Sequence, residues 1–96
     1  MKVIIAKSKR YSDEFKKPKV YSYKTKESNY KKLIKKVIYQ HIKQGYHFAN
    51  KSWTPSYVLS LFEEAIAKNI AVHIFLNKNV SKKDSRSTVI SVVPFF

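Results

Sequence analysis

Hydrophobic positions between Ser28 and Gly45 recur with the period of an α-helix. Seven residues at spacings of three and four form one face: Tyr30, Leu33, Ile34, Val37, Ile38, His41 and Ile42. Ser28 is a predicted N-cap, and Glu27 lies where its charge would favour the helix dipole. Gly45, the only glycine in the chain, suits the position just after the helix. The pattern predicts an amphipathic helix that buries one face.

A second helix is predicted to begin at Thr54 and to end at Asn69. Thr54 suits the N-cap and Pro55 suits the first helical position, where its missing N–H costs nothing. Its predicted buried positions are Val58, Leu61, Phe62, Ala65 and Ile66. Glu63 and Glu64 are predicted to face solvent, where Glu64 can pair with a lysine four residues later.

Four segments have the composition of β-strands. They are residues 1–6, 20–24, 70–77 and 88–93. The third is apolar on both faces, including His73 and Phe75, which predicts a central strand. Pro94 is predicted to end the last strand, leaving Phe95 and Phe96 as an apolar end that closes the core or docks a partner.

The order of these elements predicts one α+β domain over residues 1–96. Its order is β-β-α-α-β-β, with an antiparallel sheet of about four strands and both helices packed on one face in a two-layer arrangement. The basic segments 7–19 and 77–87 are predicted to be exposed connections. An open sheet has two edges, so both a monomer and an edge-paired or swapped homodimer remain open.

Composition supports a folded chain. Hydrophobic residues make up 44% of the 96 residues, which is more than disordered chains contain. The absence of cysteine excludes disulfides, thiolate zinc sites and cysteine nucleophiles, and it fits an intracellular, cytoplasmic location. The longest apolar run spans about seven residues, against the roughly twenty of a membrane helix. We expect neither a membrane span nor a signal peptide.

Charge is the most unusual property of the chain. The net charge is +14, and residues 1–44 hold fourteen basic residues against three acids. So many positive charges repel one another, and this repulsion favours a polyanionic partner that offsets it. DNA or RNA phosphate is the first expectation, and an acidic host protein surface is the alternative.

The solvent side of the first helix carries a row of lysines without an acid among them. These residues are Lys31, Lys32, Lys35, Lys36 and Lys43. The first four span about 7 Å along the helix axis, a distance that suits neighbouring phosphates. Tyr39 lies close to this row and can stack or form a hydrogen bond there.

The two basic connections supply the remaining candidate contacts. They hold Lys7, Lys9, Arg10, Tyr11, Lys16 and Lys17, followed by Lys82, Lys83 and Arg86. Aromatic residues among cations are typical of segments that stack on bases. Arg10 and Arg86 are the only arginines, so bidentate contacts to guanine are few and we expect little sequence specificity.

The sequence contains no standard catalytic signature. It lacks a phosphate-binding glycine loop, HExxH and GxSxG. His41 and His73 are interpreted as core residues, whereas His47 lies in a polar link and is free to act. A metal-free ribonuclease that uses His47 as the base is therefore a third hypothesis.

The leading hypothesis is a non-catalytic, largely sequence-independent nucleic-acid-binding protein without metal or cofactor. The alternative is a small viral or mobile-element inhibitor that docks on a host nuclease or defence complex. A lysine-rich, glycine-poor composition fits that source.

Overall fold

The fold, taken from a computed structural model that describes residues 1–26 and 28–94, is α+β. Its elements are β1 (Lys2–Tyr11), β2 (Glu14–Phe15), β3 (Lys19–Lys24), α1 (Tyr30–Lys43), β4 (His47–Phe48), α2 (Pro55–Ala67), β5 (Val72–Ser81) and β6 (Asp84–Val93). The predicted class and the order of the main elements are confirmed. Two additional strands of two residues each, β2 and β4, raise the strand count to six.

All strands pair antiparallel in a single sheet. β1 lies between β3 and β6, with β2 continuing the β3 side at its far end. β5 pairs with β6 and, on its other side, with β4. The predicted pairing of the first two long strands is confirmed, with Lys2 opposite Lys24 and Lys7 opposite Lys19.

The core lies between one face of the sheet and the two helices. We call this the helix side of the sheet. Its sheet residues are Val3, Ile5, Ile74, Leu76, Ile90 and Val92, all buried. The helices contribute Ile34 and Ile38 from α1 and Val58 and Phe62 from α2, each fully buried. The predicted apolar faces of both helices are therefore the ones that form the core.

The helix ends follow the capping rules with one change. Thr54 caps α2, where its hydroxyl oxygen accepts a hydrogen bond from the Tyr57 N–H at 3.2 Å, and Pro55 is the first helical residue. Gly45 follows α1 with φ +95°, a conformation that favours glycine. The N-cap of α1 is Asn29, not the predicted Ser28, and its side chain makes no capping bond. Glu27 lies outside the described residues.

Most of the two basic segments is strand, so their prediction as connections holds only for the turns at 12–13 and 82–83 and the link at 16–18. β1 continues to Tyr11 and turns through Ser12 and Asp13, both with positive φ, into β2. β5 continues to Ser81 and turns through Lys82 and Lys83 into β6. The outer halves of these strands are polar and exposed or half-buried, so they lack the alternating apolar pattern by which a half-buried strand is recognised.

The first half of β5 is largely apolar on both faces, but the helices cover only one of them. His73 and Phe75 lie on the open face, which points away from the helices, and Phe75 remains 54% exposed. His73 is consequently an exposed residue and not a core histidine, whereas His41 is buried as predicted. β5 does have a strand on each side, as expected of an internal strand.

The helices are 14 and 13 residues long. No helix in the described part of the chain has the length and apolarity needed to cross a membrane. Pro94 follows the end of β6 as predicted. The apolar end predicted at Phe95 and Phe96 lies outside the described residues.

Candidate functional site

The outer face of α1 carries an exposed row of cations, as the sequence predicts. We call the residues Lys32, Lys35, Lys36 and Lys43 the lysine strip; all four are exposed. Tyr39 lies on the same side and is 46% exposed. Because α1 buries its other face in the core, the fold fixes the orientation of this strip.

Lys31 is engaged by an acid that sequence analysis did not associate with the row. Its ammonium nitrogen lies 2.7 Å from Oε1 of Glu63, which reaches across from α2. The hydrogen bond and the charge of Glu63 raise the pKa of Lys31. The prediction that no acid lies among these lysines therefore holds along the sequence of α1. It does not hold in three dimensions, because packing brings α2 beside the first turn of α1.

A second basic surface lies beyond the carboxyl end of α1, where the outer halves of the strands extend past the helix. It is a concavity of about 350 Å³ that we call the basic groove. Its lining residues are Lys7, Ser8, Lys9, Tyr11, Lys16, Lys17, Lys19, Gln44, Tyr46 and Arg86. Six of these are basic, and none of the described lining residues is acidic. Positive charge is therefore concentrated in a concave site.

Strand register explains how these cations come together. Lys9 on β1 lies opposite Arg86 on β6, and Arg86 lies opposite Lys78 on β5, so three cations occupy neighbouring strands in one row. Lys7 lies opposite Lys19 in the adjacent row. Directly opposed residues share a face of the sheet. Side chains alternate between the two faces along a strand, so counting from the buried residues Ile5 and Ile90 places both rows on the helix side. Like charges at such positions destabilise a sheet.

A backbone hydrogen bond fixes the outer wall of the basic groove. The Lys16 N–H donates to the Lys9 carbonyl at 3.0 Å, so the chain after β2 stays beside β1. This contact positions Lys16 and Lys17 against the same concavity. The wall is therefore part of the hairpin and not a separate loop.

Two tyrosines contribute aromatic surface to the basic groove. Tyr11 is 40% exposed, and the ammonium of Lys16 lies 5.0 Å from the centre of its ring. Tyr46 also lines the groove, and the ammonium of Lys78 is 5.8 Å from its ring centre. The backbone N–H of Tyr46 donates to the His41 carbonyl at 3.0 Å, which fixes it to the end of α1.

Two buried nitrogen atoms beside the basic groove lack a hydrogen-bond partner within the described residues. They are Nε of Arg86 and Nε2 of His41. The other ring nitrogen of His41, Nδ1, lies 2.8 Å from the Val37 carbonyl, which can only accept, so Nδ1 carries the proton. Burial lowers the pKa of His41, and the charge of Lys7 lowers it further. His41 is therefore neutral at pH 7 and adds no positive charge.

The remaining predicted contacts lie at the tip of the sheet, outside the basic groove. Arg10, Lys82 and Lys83 line a separate cavity of about 570 Å³, whose walls also include Asp13 and Asp84. The Arg10 guanidinium lies 2.9 Å from the Asp13 carboxylate. Acids partly neutralise this cavity, so it is a weaker site for a polyanion than the basic groove.

The histidines do not form a recognisable catalytic arrangement. His47 is exposed on the edge strand β4, opposite Asn77, and Nδ1 of His73 lies 2.7 Å from Oγ of Ser91 on the open face. Within the described residues, no group of three or more histidine, cysteine, aspartate or glutamate side chains could hold a metal ion.

Sequence analysis singled out most of the basic groove but missed part of its wall. Lys7, Lys9, Tyr11, Lys16, Lys17 and Arg86 are brought together as candidates. Gln44 and Tyr46 were not singled out, because their position depends on how α1 ends above the sheet. Lys19 and Lys78 lie within predicted basic segments. Only the strand register shows that Lys19 lies opposite Lys7 and that Lys78 lies opposite Arg86.

Comparison of the chain with protein-family models, with curated proteins and with solved structures gives no match. Function is therefore inferred from the charge and geometry of the side chains themselves. Two features are available for that inference, the lysine strip and the basic groove.

Proposed function

We propose that the protein binds nucleic acid through its phosphates, without catalysis and with little dependence on sequence. The observation that carries the proposal is the basic groove, where six cations meet and no described lining residue is acidic. Bringing like charges together costs free energy unless an anion offsets it. Nucleic acid offers closely spaced phosphates that match such a cluster.

The lysine strip extends this surface along α1. Lys43 is the last residue of α1, and Gln44, the next residue, lines the basic groove. A strand held in the groove can therefore continue along the strip and contact Lys36 and Lys32 in turn. The two basic surfaces then act as one path for a phosphate backbone.

The kinds of cation favour charge recognition over base recognition. Five of the six basic residues in the groove are lysines, which contact phosphate as point charges. Arg86 is the only arginine there, and Arg10 is paired with Asp13. Bidentate guanine contacts, which dominate direct readout, have little support in this arrangement.

A salt titration with matched charge reversals tests the proposal. The groove variant carries Lys9→Glu and Lys16→Glu, and the control carries Lys26→Glu and Lys51→Glu, which change the net charge equally outside the groove. Each lost phosphate contact should make the slope of log affinity against log salt shallower by about 0.7 to 0.9. We expect the groove variant to lose about two contacts and the control to keep the original slope.

Three outcomes would contradict the proposal. If both variants weaken binding equally, net charge and not the groove determines affinity. If no oligonucleotide binds, but a stoichiometric complex with a host protein persists after nuclease treatment, the partner is an acidic protein surface. Turnover of RNA that is lost in His47→Ala would show instead that the protein is a ribonuclease.

A further inference from the structure

We infer that the basic groove selects unpaired nucleic acid, with a base held against Tyr11 and the backbone bound by the surrounding lysines. This inference rests on the proposed function and specifies the form of nucleic acid that the groove takes. Three observations support it: the concave shape, the two tyrosines in its lining, and the six cations in the same lining.

The shape of the groove disfavours base contacts with a duplex. Proteins read duplex bases by inserting a helix or a β-ribbon into the major groove. Here the candidate aromatic side chains line a concavity of about 350 Å³ between strands and the end of α1. A duplex can touch the rim through its phosphates only, whereas an unpaired base can enter.

The tyrosines provide surfaces on which an unpaired base can stack. Tyr11 lies on β1 with 40% of its surface exposed, and its ring is near the Lys16 ammonium. Tyr46 is partly buried, with its ring in edge contact with His41 at 5.1 Å between ring centres. Tyr46 is therefore held in place by its neighbours, while Tyr11 is accessible. Stacking on such rings is tolerant of base identity, which agrees with weak sequence dependence.

The cations lie where the backbone of a stacked nucleotide would pass. Lys9 lies on the same strand and face as Tyr11, two residues earlier, and it is paired across the sheet with Arg86. Arg86 also lines the groove. A base contact at Tyr11 and a phosphate contact at Lys9 are thus available two residues apart on the same face of one strand.

The experiment compares three oligonucleotides with the same number of phosphates: an unpaired oligothymidine, the same chain with abasic sites, and a hairpin duplex. Binding is measured with the intact protein and with Tyr11→Leu, which keeps an apolar side chain at this position. The control is Tyr57→Leu, a tyrosine on α2 that is 47% exposed and does not line the basic groove. Tyr46→Leu is a second test, and circular dichroism confirms that each variant folds.

We expect the oligothymidine to bind on the order of tenfold more tightly than the abasic chain and the duplex. Tyr11→Leu should remove most of that advantage, and Tyr57→Leu should leave it unchanged. Equal affinities for the three ligands, or loss of the advantage in Tyr57→Leu alone, would overturn the inference and leave phosphate binding intact. If none of the three binds, the proposed function fails and the inference fails with it.

Discussion

Lys9 on β1 lies directly opposite Arg86 on β6, and both side chains are on the helix side of the sheet. Lys78 extends the row from the other side of Arg86. Opposed like charges are destabilising, and no described residue lining the groove is acidic; the nearest acid on this face of β6 is Asp84, opposite Tyr11. The arrangement is consistent with a site whose stability improves when an anion binds.

Replacing Lys9 with glutamate should stabilise the protein and weaken its binding to polyanions. The substitution places opposite charges across from each other at Arg86, which should raise the free energy of unfolding by about 0.5 kcal/mol. Urea denaturation at low salt measures this effect, and oligonucleotide affinity measures the loss of binding. Lys51→Glu is the control, because Lys51 lies in a turn outside the strands. A loss of stability in Lys9→Glu would show that the opposed cations do not repel each other.

Stability should fall as the solution is made mildly acidic, because His41 is buried as the neutral imidazole. The pKa of His41 is lowered from its ordinary value of 6.5, so the unfolded state binds a proton more readily than the folded state. Above pH 6.5, titration of His41 should therefore leave the free energy of unfolding unchanged. It should decrease as pH falls through 6.5 towards the lower pKa of the folded state.

The contribution of His41 can be isolated with the His41→Leu variant. Thermal unfolding between pH 7.5 and 5 should show a smaller decline for the variant than for the unmodified protein. An unchanged pH dependence in His41→Leu would assign the decline to other groups.

Glu63→Gln should strengthen polyanion binding by releasing Lys31. The ion pair with Glu63 occupies Lys31 at 2.7 Å, and neutral glutamine would leave that ammonium free beside the lysine strip. If the strip contacts phosphates, the salt slope should steepen by up to about 0.9. Both partners are exposed, so stability should change little.

Glu64→Gln is the matched control for Glu63→Gln. Glu64 pairs with Lys68 within α2 at 2.7 Å, so its neutralisation gives the same change in net charge without freeing Lys31. Equal gains in the two variants would show that only net charge matters.

Thr54→Ala should destabilise the protein by about 1 kcal/mol, because the capping bond to the Tyr57 N–H is lost. Ser56→Ala, an exposed change in the same helical turn, should have a much smaller effect. Chemical denaturation of the two variants provides the comparison. Equal stabilities would contradict the capping role of Thr54.

The helices could be predicted closely because their signals are local. Thr54 and Pro55 mark the start of α2, and Gly45 marks the end of α1 with a backbone conformation that favours glycine. These capping preferences depend on neighbouring residues in the sequence and are therefore the same in an isolated peptide and in the folded protein. Glu63 shows the limit, since its contact with Lys31 depends on how the two helices pack.

The basic groove could be predicted only as a set of separate basic segments. Lys7 and Lys19 become neighbours through the register of β1 with β3, and Lys9 and Arg86 through that of β1 with β6. Register follows from apolar pairs elsewhere in the strands, such as Ile5 with Ile90. Tyr46 depends in addition on the turn after α1. None of these relations is visible in a single segment.

The side-chain Nε–H resonance of Arg86 offers the most direct test of polyanion binding in the basic groove. A nuclear magnetic resonance titration with a short oligothymidine can follow it together with the amide signals of Lys9 and Phe75. We predict that the Arg86 and Lys9 signals shift with increasing oligonucleotide, while the signal of Phe75 on the open face stays in place. Shifts that are largest on the open face, with Arg86 unchanged, would contradict binding in the groove.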